Sequence, residues 1–394
     1  MLDWLTEDQR ALRDMAASFA RKEVEPLATQ IDMQERTPDS LSASAAEFGL
    51  FGLYTSPEYG GAGADLVSVC LVVEELAKAS PAFAGALTVQ MVLCPRTVEL
   101  LGSEEQKRRL LPASASGERL IAYSQSEPAG AANIARHLTK LMPEGDGWRL
   151  DGSKLFCTQS TAKTYLVMCK TRDHDGKEGY GCIIVERENE GMEVLPYEHK
   201  LGWRGTNTGP ISFNSIRIER ENILGDVLTG GVAHRPANTA NVLSHSAVSI
   251  GCAQGMFDKT LEYIKERTLY GKSMYDLQPI SYWMAEAHAK LAACRALLYS
   301  NVTAFERGAL EPVMGNVCKA YICETAFEIC SRLLNLWGGS GIMDSTGINR
   351  YMRDAKAQCI AEGSTEIHYA IIANQLFHGV GTLVPPSYQS GAAK

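Results

Sequence analysis

The apolar residues of this chain change their spacing twice, and no other feature limits the fold as much. In "TEDQRALRDMAASFARKEVEPLA", residues 6–28, Thr6 reads as an N-cap, and Leu12, Met15, Ala16, Phe19 and Ala20 fall on one face at helical spacing. The helical period continues through "LVSVCLVVEELAKAS" and "SEEQKRRLLPASASG", so helices are expected to about residue 119. From there to about 230 the apolar residues come in short runs, "YLVMCKT", "GCIIVERE", "GMEVLP" and "PISFNSIRI", with "LDGSK" and "RDHDGKEG" between them. Short β-branched and aromatic runs broken by Asp-Gly pairs are strand and hairpin signals. Beyond about 236 long helical periods return, from "NTANVLSHSAVSIGCAQGMFDKTLEYIKERTLYG" onward, and long antiparallel helices joined by short loops make a bundle. The expectation is an α+β multidomain chain: a helical domain over 1–119, a β domain over 120–232 and a helical bundle over 233–394, with the tail "LVPPSYQSGAAK" loose at its end.

Bulk properties narrow the function classes. A chain of 394 residues is too long for one small core, and its 45% apolar and 21% charged residues are ordinary for a soluble globular protein. A formal net charge of −8, with no basic stripe, argues against a nucleic-acid partner. The 11 cysteines include no CxxC pair and no metal-ligand spacing with histidine. They read as small apolar core residues in a reducing compartment, which points to the cytoplasm and to no metal. The N-terminus opens on an acidic helix without a leader pattern, and no apolar run is long enough to span a bilayer.

The stretch "YMRDAKAQCIAEGSTEIH", residues 351–368, sets two glutamates four positions apart around a Gly-Ser-Thr turn. Ser364 or Thr365 can cap the run "EIHYAIIANQLF", which places Glu366 in a first helical turn, where the helix dipole favours a carboxylate. Glu362 precedes Gly363 on the approach to that helix, where a loop side chain can be held over a cleft. Elsewhere, Phe156 and Tyr270 read equally well as core aromatics, Arg267 as a solvated helix charge, and His245 as a core histidine or a pocket group.

The order of the elements, with "YGGAGAD" at 59–65, "YSQSEPAGAAN" at 123–133, "DGSKLFCTQS" at 151–160, "KLGWRGTNTGPISFNSIRI" at 200–218, "RTLYGK" at 267–272, "LNLWGGSGI" at 334–342 and "RDAKAQCIAEGSTEI" at 353–367, resembles the acyl-CoA dehydrogenase family. That resemblance implies a helical N-terminal domain, a middle β barrel and a C-terminal four-helix bundle, assembled as a homodimer or homotetramer. It implies FAD lying between the β domain and the bundle, with its adenosine end in a neighbouring subunit. The implied reaction converts an acyl thioester to its α,β-enoyl form: the α-proton goes to a glutamate, the β-hydride to flavin N5, and the electrons to an electron-transfer flavoprotein.

Carried over residue by residue, the resemblance makes Glu362 the base. It places Tyr123, Gln125, Ser126, Phe156 and Thr158 along the flavin ring, and Arg267 on the pyrophosphate of the neighbouring subunit's FAD. Tyr270 and Gln278 match adenosine contacts, Asn335, Gly338 and Gly339 a glycine-pair segment beside the dinucleotide, and Ser364 a threonine near the adenosine diphosphate. The substrate side departs from the family pattern: Ala132 stands for a serine, Val242 for an arginine, Thr239 for an acidic residue and Ala361 for a tyrosine, with His245 nearby. Removing the arginine and tyrosine together is self-consistent, because either one left alone is a costly unpaired group. Those changes suggest a branched, aromatic or cyclic acyl group, held on CoA or on a carrier protein. An enoyl-thioester reductase uses the same residues, and a flavin monooxygenase or a non-oxidative desulfinase is open on the same fold; the monooxygenase needs no base at Glu362.

Overall fold

The computed structural model describes residues 4–384; most of the tail expected to be loose, 385–394, lies outside them. Seven helices form the N-terminal region: α1 (Glu7–Phe19), α2 (Glu25–Gln34), α3 (Asp39–Glu47), α4 (Leu66–Ala79), α5 (Pro81–Thr88), α6 (Cys94–Leu101) and α7 (Glu104–Ala115). Thr6 caps α1 as expected: its hydroxyl accepts the Gln9 N–H at 3.2 Å, and Gln9 Oε1 accepts the Thr6 N–H at 3.1 Å. The buried stripe of α1 is narrower than the sequence pattern: Ala16, Phe19 and Ala20 are buried, whereas Met15, at the edge of the stripe, is 51% exposed.

The middle region is one mixed sheet of β1 (Ile121–Ser124), β2 (Lys140–Glu144), β3 (Gly147–Thr158), β4 (Thr164–Arg172), β5 (Glu178–Glu186), β6 (Met192–Val194), β7 (Thr208–Ile218) and β8 (Ile223–Leu224). Its order is β6-β7-β3-β2-β4-β5-β8, with β1 pairing β4. Alternate residues of β4 serve two cores. Tyr165, Val167 and Cys169 pack inside the β domain, while Leu166 and Met168 join Val98, Leu110 and Leu111 of the N-terminal helices. The Asp-Gly of "LDGSK" is not a turn. Gly152 lies inside β3 at φ 140, where the register against β7 shifts, and a Cβ there would sit 2.6 Å from Thr139 Cα. A bulge and a close backbone approach explain that glycine; the chain turns earlier, at Gly145 (φ 64).

The C-terminal region contains α8 (Gly230–Ala233), α9 (Arg235–Glu266), α10 (Gln278–Glu306), α11 (Met314–Leu334), α12 (Asn349–Gln358) and α13 (Thr365–His378). The helical period expected to run through Gly271 stops at Glu266, and "RTLYGK" instead holds a small hairpin of β9 (Thr268–Leu269) and β10 (Lys272–Ser273). Tyr270 (φ 51) and Gly271 (φ 75) make its two-residue turn. α9 lies directly against α4, because a Cβ at Gly251 or Gly255 would come within 2.2 Å of the Glu74 or Lys78 carbonyl oxygen. One apolar core therefore joins the N-terminal helices to the bundle. All 11 cysteines are buried and unpaired, and no helix among the described residues is long and apolar enough to cross a membrane.

Candidate active site

A cleft of about 1360 Å³ opens where the β domain faces the bundle. Single small-molecule pockets run to roughly 1000 Å³, so this one has room for a ring system and a substrate together. Tyr123, Gln125, Ser126, Phe156 and Thr158 line it from the β domain. Val242, Ala361, Glu362 and Ser364 line it from the bundle, and Ala132 from the loop after β1.

The β-domain wall is held by a buried polar network. Lys154, fully buried, donates to Glu127 Oε1 at 2.7 Å and to the Gln125 carbonyl at 3.0 Å. Glu127 also accepts the backbone N–H groups of Leu138 and Thr139. Burial alone would raise the Glu127 carboxyl, but the Lys154 charge and these donors outweigh it and hold the carboxyl below its ordinary value. His137 closes the network between Tyr180 OH at 2.8 Å and the Ala131 carbonyl at 3.1 Å. On this support Phe156 stands 65% exposed in left-handed backbone (φ 55), so it is a wall aromatic and not a core one. Beside it Tyr123 OH lies 2.6 Å from Gln125 Oε1 and 2.9 Å from His234 Nε2.

The opposite wall is built around Glu362. Glu362 (φ 57) and Gly363 (φ 92) are successive left-handed residues that swing the chain from α12 into α13. A non-glycine residue in that region is strained and needs outside support. His368 supplies it: Asn316 Nδ2 lies 2.8 Å from His368 Nδ1 and donates to it, leaving Nε2–H for the Glu362 carbonyl at 3.2 Å. Burial, with the nearby Lys319 charge, pushes His368 down to about 4, so the ring is neutral. The Glu362 side chain is 19% exposed, toward the cleft. Burial raises its carboxyl above the ordinary value, while Lys319 and the Asn241 amide pull the other way. Lys319 does not touch it; its ammonium donates to the Gln358 carbonyl at 2.5 Å.

Ser364 holds the N-cap position of α13 without a capping bond, and its hydroxyl goes to the exposed Glu366 carboxyl, which it holds low. Arg267, Tyr270, Gln278, Asn335, Gly338 and Gly339 lie away from this cleft, on the hairpin after α9, the start of α10 and the 3-10 segment after α11. Tyr270 is 94% exposed there. His245 is fully buried, behind the cleft wall and not on it. Reading the sequence missed Lys319, Gln358 and Thr88. Lys319 had a usable signal, since it falls three residues before Ile322 and four before Cys323, on the buried stripe of α11.

A helical–β–helical chain thus sets the carboxyl of Glu362, raised by burial, across one cleft from the hydrogen-bonding groups of Tyr123, Gln125, Ser126 and Thr158. Models of the acyl-CoA dehydrogenase N-terminal, middle and C-terminal domains match residues 6–118, 122–216 and 240–377. The chain is 30% identical to the acyl-CoA dehydrogenase, short-chain specific, of Clostridium acetobutylicum, over 95% of its own length and 99% of the relative's. It superposes on butyryl-CoA dehydrogenase from Megasphaera elsdenii with TM-score 0.89 at 27% identity, covering 95% and 99% of the two chains. A chain from the structure described as the electron transferring flavoprotein of Acidaminococcus fermentans gives TM-score 0.88 at 29% identity, covering 96% and 100%. This chain belongs to the acyl-CoA dehydrogenase family, oxidoreductases that act on CH–CH bonds.

Proposed function

We propose that this protein oxidises an acyl thioester to its α,β-enoyl form, with Glu362 as the base. The observation that carries the reading is the Glu362 carboxyl: it faces the cleft, is raised by burial and has no cation in contact among the described residues. An α-proton is too weakly acidic for an ordinary carboxylate, so the site must raise the base's proton affinity and stabilise the developing enolate. Burial supplies the first. The second falls, by family resemblance, to the Glu362 backbone N–H on the thioester oxygen.

FAD fits the opposite wall. The exposed Phe156 and the uncharged groups of Tyr123, Gln125, Ser126 and Thr158 suit a neutral ring. Bound FAD would supply the hydride acceptor. Ser364 would help hold its diphosphate, while Arg267, Tyr270, Gln278, Asn335, Gly338 and Gly339 would serve a neighbouring subunit's FAD in a homodimer or homotetramer. Ala132, Val242 and Ala361 bound the acyl thioester. The domain division at 1–119, 120–232 and 233–394, an electron-transfer flavoprotein as acceptor and a cytoplasmic setting belong to the same reading.

The test is anaerobic. Purified protein should be yellow, and its flavin band should bleach with one or more of butyryl-, isobutyryl- and glutaryl-CoA and their carrier-protein counterparts. Colour should return on adding electron-transfer flavoprotein. No bleaching by any thioester, with NAD(P)H-dependent oxygen uptake instead, would replace this reading with a monooxygenase.

A further inference from the structure

His245 on α9 is buried against the base. Its Nε2 lies 3.8 Å from Glu362 Oε1 and 2.8 Å from Thr88 Oγ1, and its Nδ1 lies 3.3 Å from Gln358 Oε1. Counting donors fixes the proton. The single Thr88 hydroxyl proton goes to the Gly85 carbonyl at 2.8 Å, so Thr88 Oγ1 accepts from the imidazole. Nε2 therefore carries hydrogen and Nδ1 is a bare acceptor. Gln358 Oε1 against Nδ1 would set two acceptors together, while Gln358 Nε2 is buried with no partner among the described residues. A half-turn of that amide, which leaves its shape unchanged, gives Nδ1 a donor. The Trp203 ring stacks on the imidazole at 5.4 Å with planes 21° apart, and Trp203 is itself tied by its backbone N–H to Asp354 at 2.6 Å.

We propose that His245 is a positioning residue for the base: a neutral imidazole, locked as the Nε2–H tautomer by Thr88 and Gln358, that gives its N–H to Thr88 and holds an uncharged ring edge 3.8 Å from the Glu362 carboxyl. The inference rests on Glu362 being the base. At 3.8 Å, and with its N–H on Thr88, the ring makes no hydrogen bond to the carboxyl; it is a fixed polar edge that limits the carboxyl's orientations and eases its ionisation without supplying a counter-ion that would quench its basicity. Other groups face Glu362 too: Lys319 from α11, His368 from α13, Tyr123 from β1, Cys94 from α6 and Asn241 from α9. Lys319 also faces His245, and together with burial it pushes the imidazole down to about 3. The ring edge thus stays uncharged wherever the base titrates.

Two measurements test this. In 15N-histidine-labelled holoenzyme near about pH 7, long-range 1H–15N NMR should show the His245 ring neutral and protonated at Nε2, with the signal assigned by its loss in His245→Leu. A ring protonated at Nδ1, or charged, overturns the proposal. In stopped-flow bleaching with whichever panel thioester reduces the wild-type flavin, His245→Leu should slow the step about tenfold, as the carboxyl loses its fixed orientation. It should also move the rising limb of the pH profile upward, with thioester binding unchanged, and His245→Gln should restore most of the rate. A leucine variant whose limb stays in place and whose loss lies wholly in KM makes the imidazole a mere wall. If no thioester bleaches the wild type, the proposed reaction fails, and the NMR result still decides the tautomer; it decides as well if His245→Leu does not fold, with His245→Gln giving the assignment.

Discussion

A fully buried glutamate and a mostly buried one stand at opposite walls of the cleft, and their environments push them in opposite directions. Glu127 meets an ammonium at 2.7 Å and two backbone N–H groups, and is held low. Glu362 meets no cation, with a neutral imidazole 3.8 Å away, and is held high. Burial raises both, so the difference lies in partners: the carboxylate given a cation becomes structure, and the one without a cation keeps an appetite for protons.

The largest break in that comparison is Glu362→Gln. Flavin bleaching should fall on the order of 10³- to 10⁴-fold with FAD retained, since positioned base catalysis is worth about that much. The sign for stability is opposite. A carboxyl whose folded pKa is raised favours the fold only below its unfolded value, and that contribution is lost as pH rises through the folded value. Denaturant midpoints near about pH 8 should therefore rise in the glutamine variant. A variant that bleaches at the wild-type rate removes Glu362 from the chemistry.

On the other wall Lys154→Met leaves Glu127 buried without its cation and should cost about 3–5 kcal/mol in urea unfolding, with weaker FAD retention. Adding Glu127→Leu should recover much of the loss, because the penalty is the unpaired charge and not a missing contact. An unchanged midpoint in the single variant would show that Glu127 is not compensated as described.

A smaller effect concerns the histidines around the cleft. His234 and His368 are pushed down to about 4 and His245 to about 3 by burial. The unfolded chain takes up these protons below about pH 6.5, while the folded chain refuses them, so stability should drain away as pH falls from 6.5 toward 4. His368→Gln, which keeps an N–H for the Glu362 carbonyl, should flatten that decline when denaturant midpoints are compared between about pH 7.5 and pH 5. Parallel declines would place His368 in contact with solvent protons.

What the sequence showed and what it hid follow from the range of the forces involved. The α–β–α order and the Thr6 cap are local, set by period and by a side chain bonding three residues on. Asp151–Gly152 misled because an Asp-Gly pair fits a turn and a bulge alike, and the choice fell to Thr139 across the sheet. The helical period overran Glu266 because nothing in "RTLYG" breaks a helix before Gly271. Glu362 was legible through the resemblance and its loop position. The face His245 presents, and the Thr88 and Gln358 contacts that orient it, are made by residues far away in the chain.

Glu366→Gln sharpens the comparison by showing what a carboxyl does without burial. It lies four residues after Glu362, in the first turn of α13, exposed, with its charge favoured by the helix N-terminus and the Ser364 hydroxyl. Its proton affinity is thus lowered where that of Glu362 is raised, and a base that gives up protons readily takes few from carbon. The variant should bleach within about twofold of wild type with an unmoved pH limb, read in the same stopped-flow assay as Glu362→Gln. A loss approaching that of Glu362→Gln would mean that the turn between the two residues, and not the burial of one of them, selects the group that does chemistry.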